Sequence, residues 1–303
     1  MAVDPAAQAV LDMLMQPGVP PLNELPVPAA REAYAGLAAL AGEPAPVART
    51  KDTTADGVPV RLYWPEGDGP HPVLIWIHGG GWVVGSAAVS DATARDLCRG
   101  AGCLVVNVDY RLAPEHPFPA ALEDVTTVAK WVSAEIASLG GDAGRIAVGG
   151  DSAGGTLSAV LAHELPGTFA LQVLVYPATD LTNSYPSIEE NGDGLLLTKD
   201  AIAWFQGHYL RGGADPRDPR VSPIFTDAAT MAAAPPALVI TAEYDPLRDE
   251  GEAYANRLRE AGVAVDHISY DGQIHAFFVM PGAIPAAREA VDGVAAALRR
   301  CWA

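Results

Sequence analysis

The sequence predicts an α/β fold: a mostly parallel sheet of roughly eight strands with helices on both faces. Strand-like apolar runs alternate with stretches of helical period from about residue 46 to the end of the chain, the order expected of strands joined by crossover helices. Several of those runs are continuously apolar, as strands covered on both faces must be. Half of the 303 residues are hydrophobic, enough for one substantial buried core.

The elements follow in order. Runs at residues 47–54 and 58–64 flank Ala55, Asp56 and Gly57 and read as an opening hairpin. Buried strands are then expected at residues 73–77, 103–109, 145–150, 171–176, 237–242 and 263–270, with amphipathic helices at 91–99, 118–138, 153–164 and 249–260. Two stretches stand outside the alternation. Residues 1–45 read as two short helices broken by QPGVPPLNELPVP, and residues 181–222 as a polar loop, a helix near 198–210 and an exit rich in Pro, Gly and Asp. Long insertions in a compact domain are usually functional, so 1–45 and 181–222 are expected to form a helical lid over a main domain made of 46–180 and 223–303.

Composition narrows the function. With 19 basic against 37 acidic side chains the formal charge is −18, which repels nucleic acid and anionic lipid. Cys98, Cys103 and Cys301 form neither a CxxC pair nor a metal-ligand spacing, so no metal or disulfide framework is expected and a reducing compartment fits. The N-terminus has no positive flank before its apolar residues and includes Asp4, unlike a secretory signal. No apolar run approaches the ~18 residues of a membrane span. The expectation is a soluble, cytoplasmic protein that needs no cofactor.

The chemistry lies in three places. Gly150-Asp151-Ser152-Ala153-Gly154 matches GxSxG between an expected strand and an expected helix. A sharp strand-to-helix turn there exposes the Ser152 hydroxyl as a nucleophile, and the helix N-terminus offers N–H groups to a developing oxyanion. His78-Gly79-Gly80-Gly81-Trp82, directly after the run at 73–77, is the glycine-rich loop that supplies further oxyanion donors, so Gly80, Gly81 and Ala153 are the expected hole. A phosphate-binding reading fails, because Asp151 falls where GxGxxG needs its second glycine.

The base and acid follow from position. Of seven histidines, His163, His208, His267 and His275 lie after Ser152, and His275 alone falls in a loop just past a strand's carboxyl end. Asp245, directly after the run at 237–242, is the expected acid. Asp180 competes for that role, and Asp249 with Glu250 reads as a first-turn partner of the next helix's dipole.

The motifs IHGGGWVVGS, DYRLAPEHPFPAALED, GGDSAGG, YDPLRDEGEAYANRL and GQIHAF, in that order, resemble those of the bacterial members of the hormone-sensitive lipase family of esterases and lipases over roughly residues 45–300. The resemblance implies an α/β-hydrolase fold, a Ser152-Asp245-His275 triad and oxyanion donors at Gly80, Gly81 and Ala153. It further implies a lid from the two outlying segments, with Trp82, Trp204 and Phe205 lining the substrate pocket. His78, Tyr110, Arg111, Glu115 and His116 belong to the same signatures and are expected to pin the backbone around the site. The chain departs from the family at Ala276, where glycine is common. The activity expected is hydrolysis of short- to medium-chain carboxylic esters through an acyl-enzyme. Amidase, arylformamidase and thioesterase chemistry would use the same triad, and a non-catalytic ligand receptor on this fold is disfavoured because all three triad residues are present. The partner is a small-molecule ester, and residues 263–270 with 284–301 leave a homodimer open.

Overall fold

Eight strands form one sheet in the order β1-β2-β4-β3-β5-β6-β7-β8 in the computed structural model, which describes residues 2–303. The strands are β1 (Arg49–Ala55), β2 (Val58–Trp64), β3 (His71–Ile77), β4 (Leu104–Val108), β5 (Gly141–Asp151), β6 (Leu171–Val175), β7 (Ala237–Tyr244) and β8 (Val265–Ile274). β2 pairs antiparallel with both β1 and β4, and every other pairing is parallel. The expected hairpin is present, with Ala55 opposite Val58.

The helices in chain order are α1 (Pro5–Leu14), α2 (Val27–Ala35), α3 (Asp91–Ala101), α4 (Ala120–Glu135), α5 (Ala153–Glu164), α6 (Ser187–Glu190), α7 (Lys199–Tyr209), α8 (Ala228–Ala232), α9 (Arg248–Glu260) and α10 (Pro285–Trp302). Among the described residues no helix is long and apolar enough to cross a membrane.

β3 explains why its sequence is apolar without alternation. Residues 73–77 are fully buried, but successive side chains enter different cores. Leu74 and Trp76 pack with Leu97 of α3 and Val294 and Leu298 of α10. Val73, Ile75 and Ile77 pack on the other face with Val125, Val128 and Val132 of α4. A single charged substitution in this run would therefore open one core or the other.

β3, β5, β7 and β8 run longer than the sequence indicates, and the extension of β8 bears on the site. β5 begins at Gly141, which pairs with His71. β8 runs four residues beyond the expected end and stops at Ile274, opposite Tyr244. Asp271-Gly272 reads as a turn, but Gly272 (φ 71°) sits at a register shift inside the strand, where its N–H donates to Glu243 Oε2 at 2.7 Å and its carbonyl accepts the Asp4 N–H at 2.8 Å. The sheet thus gathers one carboxyl edge at which β3, β5, β6, β7 and β8 release His78, Ser152, Tyr176, Asp245 and His275.

Candidate active site

The chain changes from β5 to α5 across the single residue Ser152. Its φ of 54° and ψ of −120° lie where non-glycine residues carry ~1–3 kcal/mol of strain, so the surroundings must hold it there. The Ser152 N–H donates to Val175 O at 2.8 Å and its carbonyl accepts the Thr156 N–H at 3.0 Å. Glycines at 150 and 154 are required by close approach, since a Cβ at either position would strike the Ile77 carbonyl. Ala153 is the first residue of α5, and the leading N–H groups of a helix have no partner within it.

His275 and Asp245 meet this serine. His275 Nε2 is 3.0 Å from Ser152 Oγ, and Nδ1 is 2.7 Å from Asp245 Oδ2. A carboxylate accepts, so Nδ1 carries the proton and leaves the Nε2 lone pair to the serine hydroxyl. Asp245 is fully buried, and its other oxygen accepts the Leu247 N–H at 2.9 Å. The Tyr176 ring packs against the imidazole at 4.7 Å between centroids.

The rival carboxylates are occupied elsewhere. Asp180 caps its own turn through Thr182 N–H (2.9 Å), Thr182 Oγ1 (2.6 Å) and Ser184 Oγ (3.2 Å). Asp249 accepts the Ser187 N–H at 2.9 Å, so it fastens α6 to α9 and does more than complement a dipole. His163 bonds Tyr254 OH at 2.6 Å and His267 bonds Thr241 Oγ1 at 2.9 Å, both away from Ser152.

The glycine loop after β3 lies beside the serine. Gly80 and Gly81 take positive φ values of 119° and 56°, and Gly81 packs so closely under the Phe205 ring that a Cβ would overlap it. His78 is buried, its ring stacked on Tyr110 at 4.3 Å, and its Nδ1–H donates to Gly79 O at 2.7 Å. Tyr110 OH donates to the His78 carbonyl at 2.9 Å. Arg111 pairs with Asp124 at 2.7 Å while Asp124 also accepts the Arg111 N–H at 2.8 Å, and Glu115 pairs with Arg31 at 2.6 Å, so His78, Tyr110 and Arg111 have bonds to loop backbone and Glu115 has an ion pair.

A cavity of about 400 Å³ opens above Ser152. It is lined by Leu14, Met15, Val19 and Tyr34 from the N-terminal segment and by Leu196, Ile202 and Phe205 from residues 181–222. Gly80, Gly81, Trp82, Ala153 and His275 line its base. Trp82 and Phe205 thus meet the cavity. Trp204 does not line it: its ring packs on Phe205 and His208, beside the buried cluster of Ala30, Val83 and Val84.

Residues 74–279 match a family profile described as alpha/beta hydrolase fold. The chain belongs to that α/β-hydrolase family. Over 234 residues it is 47% identical to the carboxylic ester hydrolase LipN of Mycobacterium tuberculosis, covering 74% of this chain but only 61% of LipN. An ethyl acetate hydrolase of Pseudomonas putida is 40% identical over 279 residues, 89% of this chain and 87% of that one. The solved structure of an ester-hydrolase from the metagenome of Lake Arreo superposes with a TM-score of 0.94 at 36% identity over 99% of both chains. Esterase relatives are what the motif resemblance implied.

Two groups at the heart of this hydrolase site escaped the sequence reading. Asp151 is buried, lines the cavity, and accepts the Gly79 N–H at 3.0 Å, tying the turn at Ser152 to the glycine loop. Burial pushes its carboxyl up to about 6, against the opposing effects of the Gly79 N–H and His275. The signal was an acid directly after a buried glycine strand end, Gly149-Gly150, and directly before Ser152. Tyr176, the other, sits at φ 35° against the His275 ring, and nothing in its local sequence marks that contact. The φ of 66° at Ala276 is the left-handed conformation that glycine takes without strain, so the alanine here carries a backbone strain that glycine would avoid.

Proposed function

We propose that this α/β-hydrolase is a carboxylic ester hydrolase that cleaves short- to medium-chain esters with Ser152 as nucleophile, His275 as base and Asp245 as orienting acid. The observation that carries the reading is the unbroken line from Asp245 Oδ2 through His275 to Ser152 Oγ, with links of 2.7 and 3.0 Å. His275 Nε2 takes the hydroxyl proton as Ser152 attacks the ester carbonyl, and Asp245 stabilises the imidazolium. The N–H groups of Gly80, Gly81 and Ala153 receive the oxyanion, which gathers charge only in the transition state. The imidazolium then protonates the leaving alcohol, and water repeats the sequence on the acyl-enzyme.

Ser152→Ala tests this. Loss of the hydroxyl should remove turnover of 4-nitrophenyl butyrate and the acyl mass adduct while leaving the melting temperature within a few degrees. Full turnover by the folded variant would overturn the nucleophile.

A further inference from the structure

The cavity above Ser152 is unevenly charged. Among the described residues, Asp151 is its one acidic lining residue, neither Lys nor Arg lines it, and His275 is the only basic side chain in contact with it. Asp151 adjoins Ser152 in sequence, is 3% exposed, and accepts a backbone N–H through Oδ1; among the described residues no Lys or Arg pairs with it. The nearest arginines along the chain are engaged outside: Arg31 with Glu115, Val83 O and Ala113 O, and Arg248 with Glu190 and Asp249. Lys199, next to the lining residue Thr198, pairs with Glu189 at 3.0 Å.

We infer that the site selects its esters by the sign of their charge, accepting neutral and cationic acyl groups and rejecting anionic ones, with Asp151 as the determinant. This rests on the ester-hydrolase reading above. Desolvation alone penalises either sign in an apolar cavity. A fixed carboxylate adds repulsion for an anion and attraction for a cation, so it separates the two. With its carboxyl pushed up to about 6, Asp151 is ionised at pH 8. Like charges ~7 Å apart at an effective dielectric of ~20 differ from a neutral pair by roughly fiftyfold in equilibrium.

The experiment compares three esters that share one leaving group and one acyl length: 4-nitrophenyl hexanoate, the mono-4-nitrophenyl ester of adipic acid, and 4-nitrophenyl 6-(trimethylammonio)hexanoate. kcat/KM is measured at pH 8 in 0.5 M salt, which screens the exposed part of the protein's −18 net charge but not a buried carboxylate. The cationic ester should exceed the anionic one by roughly fiftyfold or more. Asp151→Asn should bring that ratio toward one, even where its overall rate falls. Gln206→Lys, which places a cation in the cavity wall, should lower the same ratio in a chain that retains Asp151. Cationic and anionic esters cleaved within threefold of each other, or a ratio unmoved by Asp151→Asn and Gln206→Lys, would overturn the inference. No cleavage of the neutral ester would instead defeat the ester-hydrolase reading itself.

Discussion

Asp245, Asp180 and Asp249 all follow strands or open helices near the same sheet edge, and their roles separate at the scale of single hydrogen bonds. Asp245→Asn should lose the imidazolium stabilisation and slow turnover by on the order of 10⁴, with little change in melting temperature. Asp249→Asn should lose about 1 kcal/mol through its bond to the Ser187 N–H and keep its turnover. Asp180→Asn should weaken the turn at Thr182 and likewise stay active. Stopped turnover in Asp180→Asn or Asp249→Asn, with a normal Asp245→Asn, would reassign the acid. Asp151 carries a different prediction. Its native carboxyl keeps its proton to about pH 6, against 3.8 for the ordinary group. The folded state therefore binds more protons than the unfolded one between those values, and stability falls as pH rises from about 4 to about 6. The difference of 6 − 3.8 ≈ 2 units is worth about 3 kcal/mol, so Asp151→Asn should be stabilised by up to that amount at pH 7 and by almost nothing at pH 4. Calorimetry across that range decides it, and a lower melting temperature for the variant at pH 7 would contradict the sign.

At the scale of elements, the N-terminal segment spans the cavity as an arch with two feet. Asp4 caps α1 through the N–H groups of Ala6 and Ala7, and its own N–H is held by Gly272 three residues before His275. At the other foot Arg31 of α2 donates to Val83 O at 2.9 Å and Ala113 O at 3.0 Å while pairing with Glu115. Between the feet, Met15 and Val19 are 44% and 59% exposed although they line the cavity mouth. Arg31→Met should therefore lower stability by about 1–2 kcal/mol, chiefly from the carbonyl bonds, because exposed ion pairs contribute little. Hydrogen exchange should accelerate across residues 16–25 and leave α10 unchanged. Uniform acceleration, or none, would mean that Arg31 is not the foot of the arch.

The whole molecule decides what reaches Ser152. One sheet sets Ser152, Asp245 and His275 along a single edge, and residues from two segments far apart in sequence line a cavity of about 400 Å³ there, mostly with apolar side chains. Each methylene of an acyl chain gains ~0.8 kcal/mol only while the cavity can cover it. The kcat/KM for 4-nitrophenyl esters should therefore rise through short acyl chains and fall steeply beyond about eight to ten carbons. Faster cleavage of long-chain triglycerides than of butyrate esters would show that the arch opens further than its closed geometry allows.

Local sequence determined the parts of this protein whose cause is local. Apolar runs buried on both faces, the hairpin at Ala55 to Val58, and the glycine spacing at Gly150 and Gly154 each follow from backbone geometry within a few residues. The position of His275 beside Ser152 was legible because a parallel sheet places its loops at one edge, even though β8 runs on through Asp271-Gly272. Three features depended on the tertiary structure: the bond from Asp151 to Gly79, 72 residues away; the contact of Tyr176 with His275; and the exclusion of Trp204 from a cavity that its neighbour Phe205 lines. Adjacent residues on a helix point about 100° apart, so sequence proximity alone does not tell which of two aromatics faces the substrate. Only the packing of α7 against the arch and the glycine loop turned Phe205 inward.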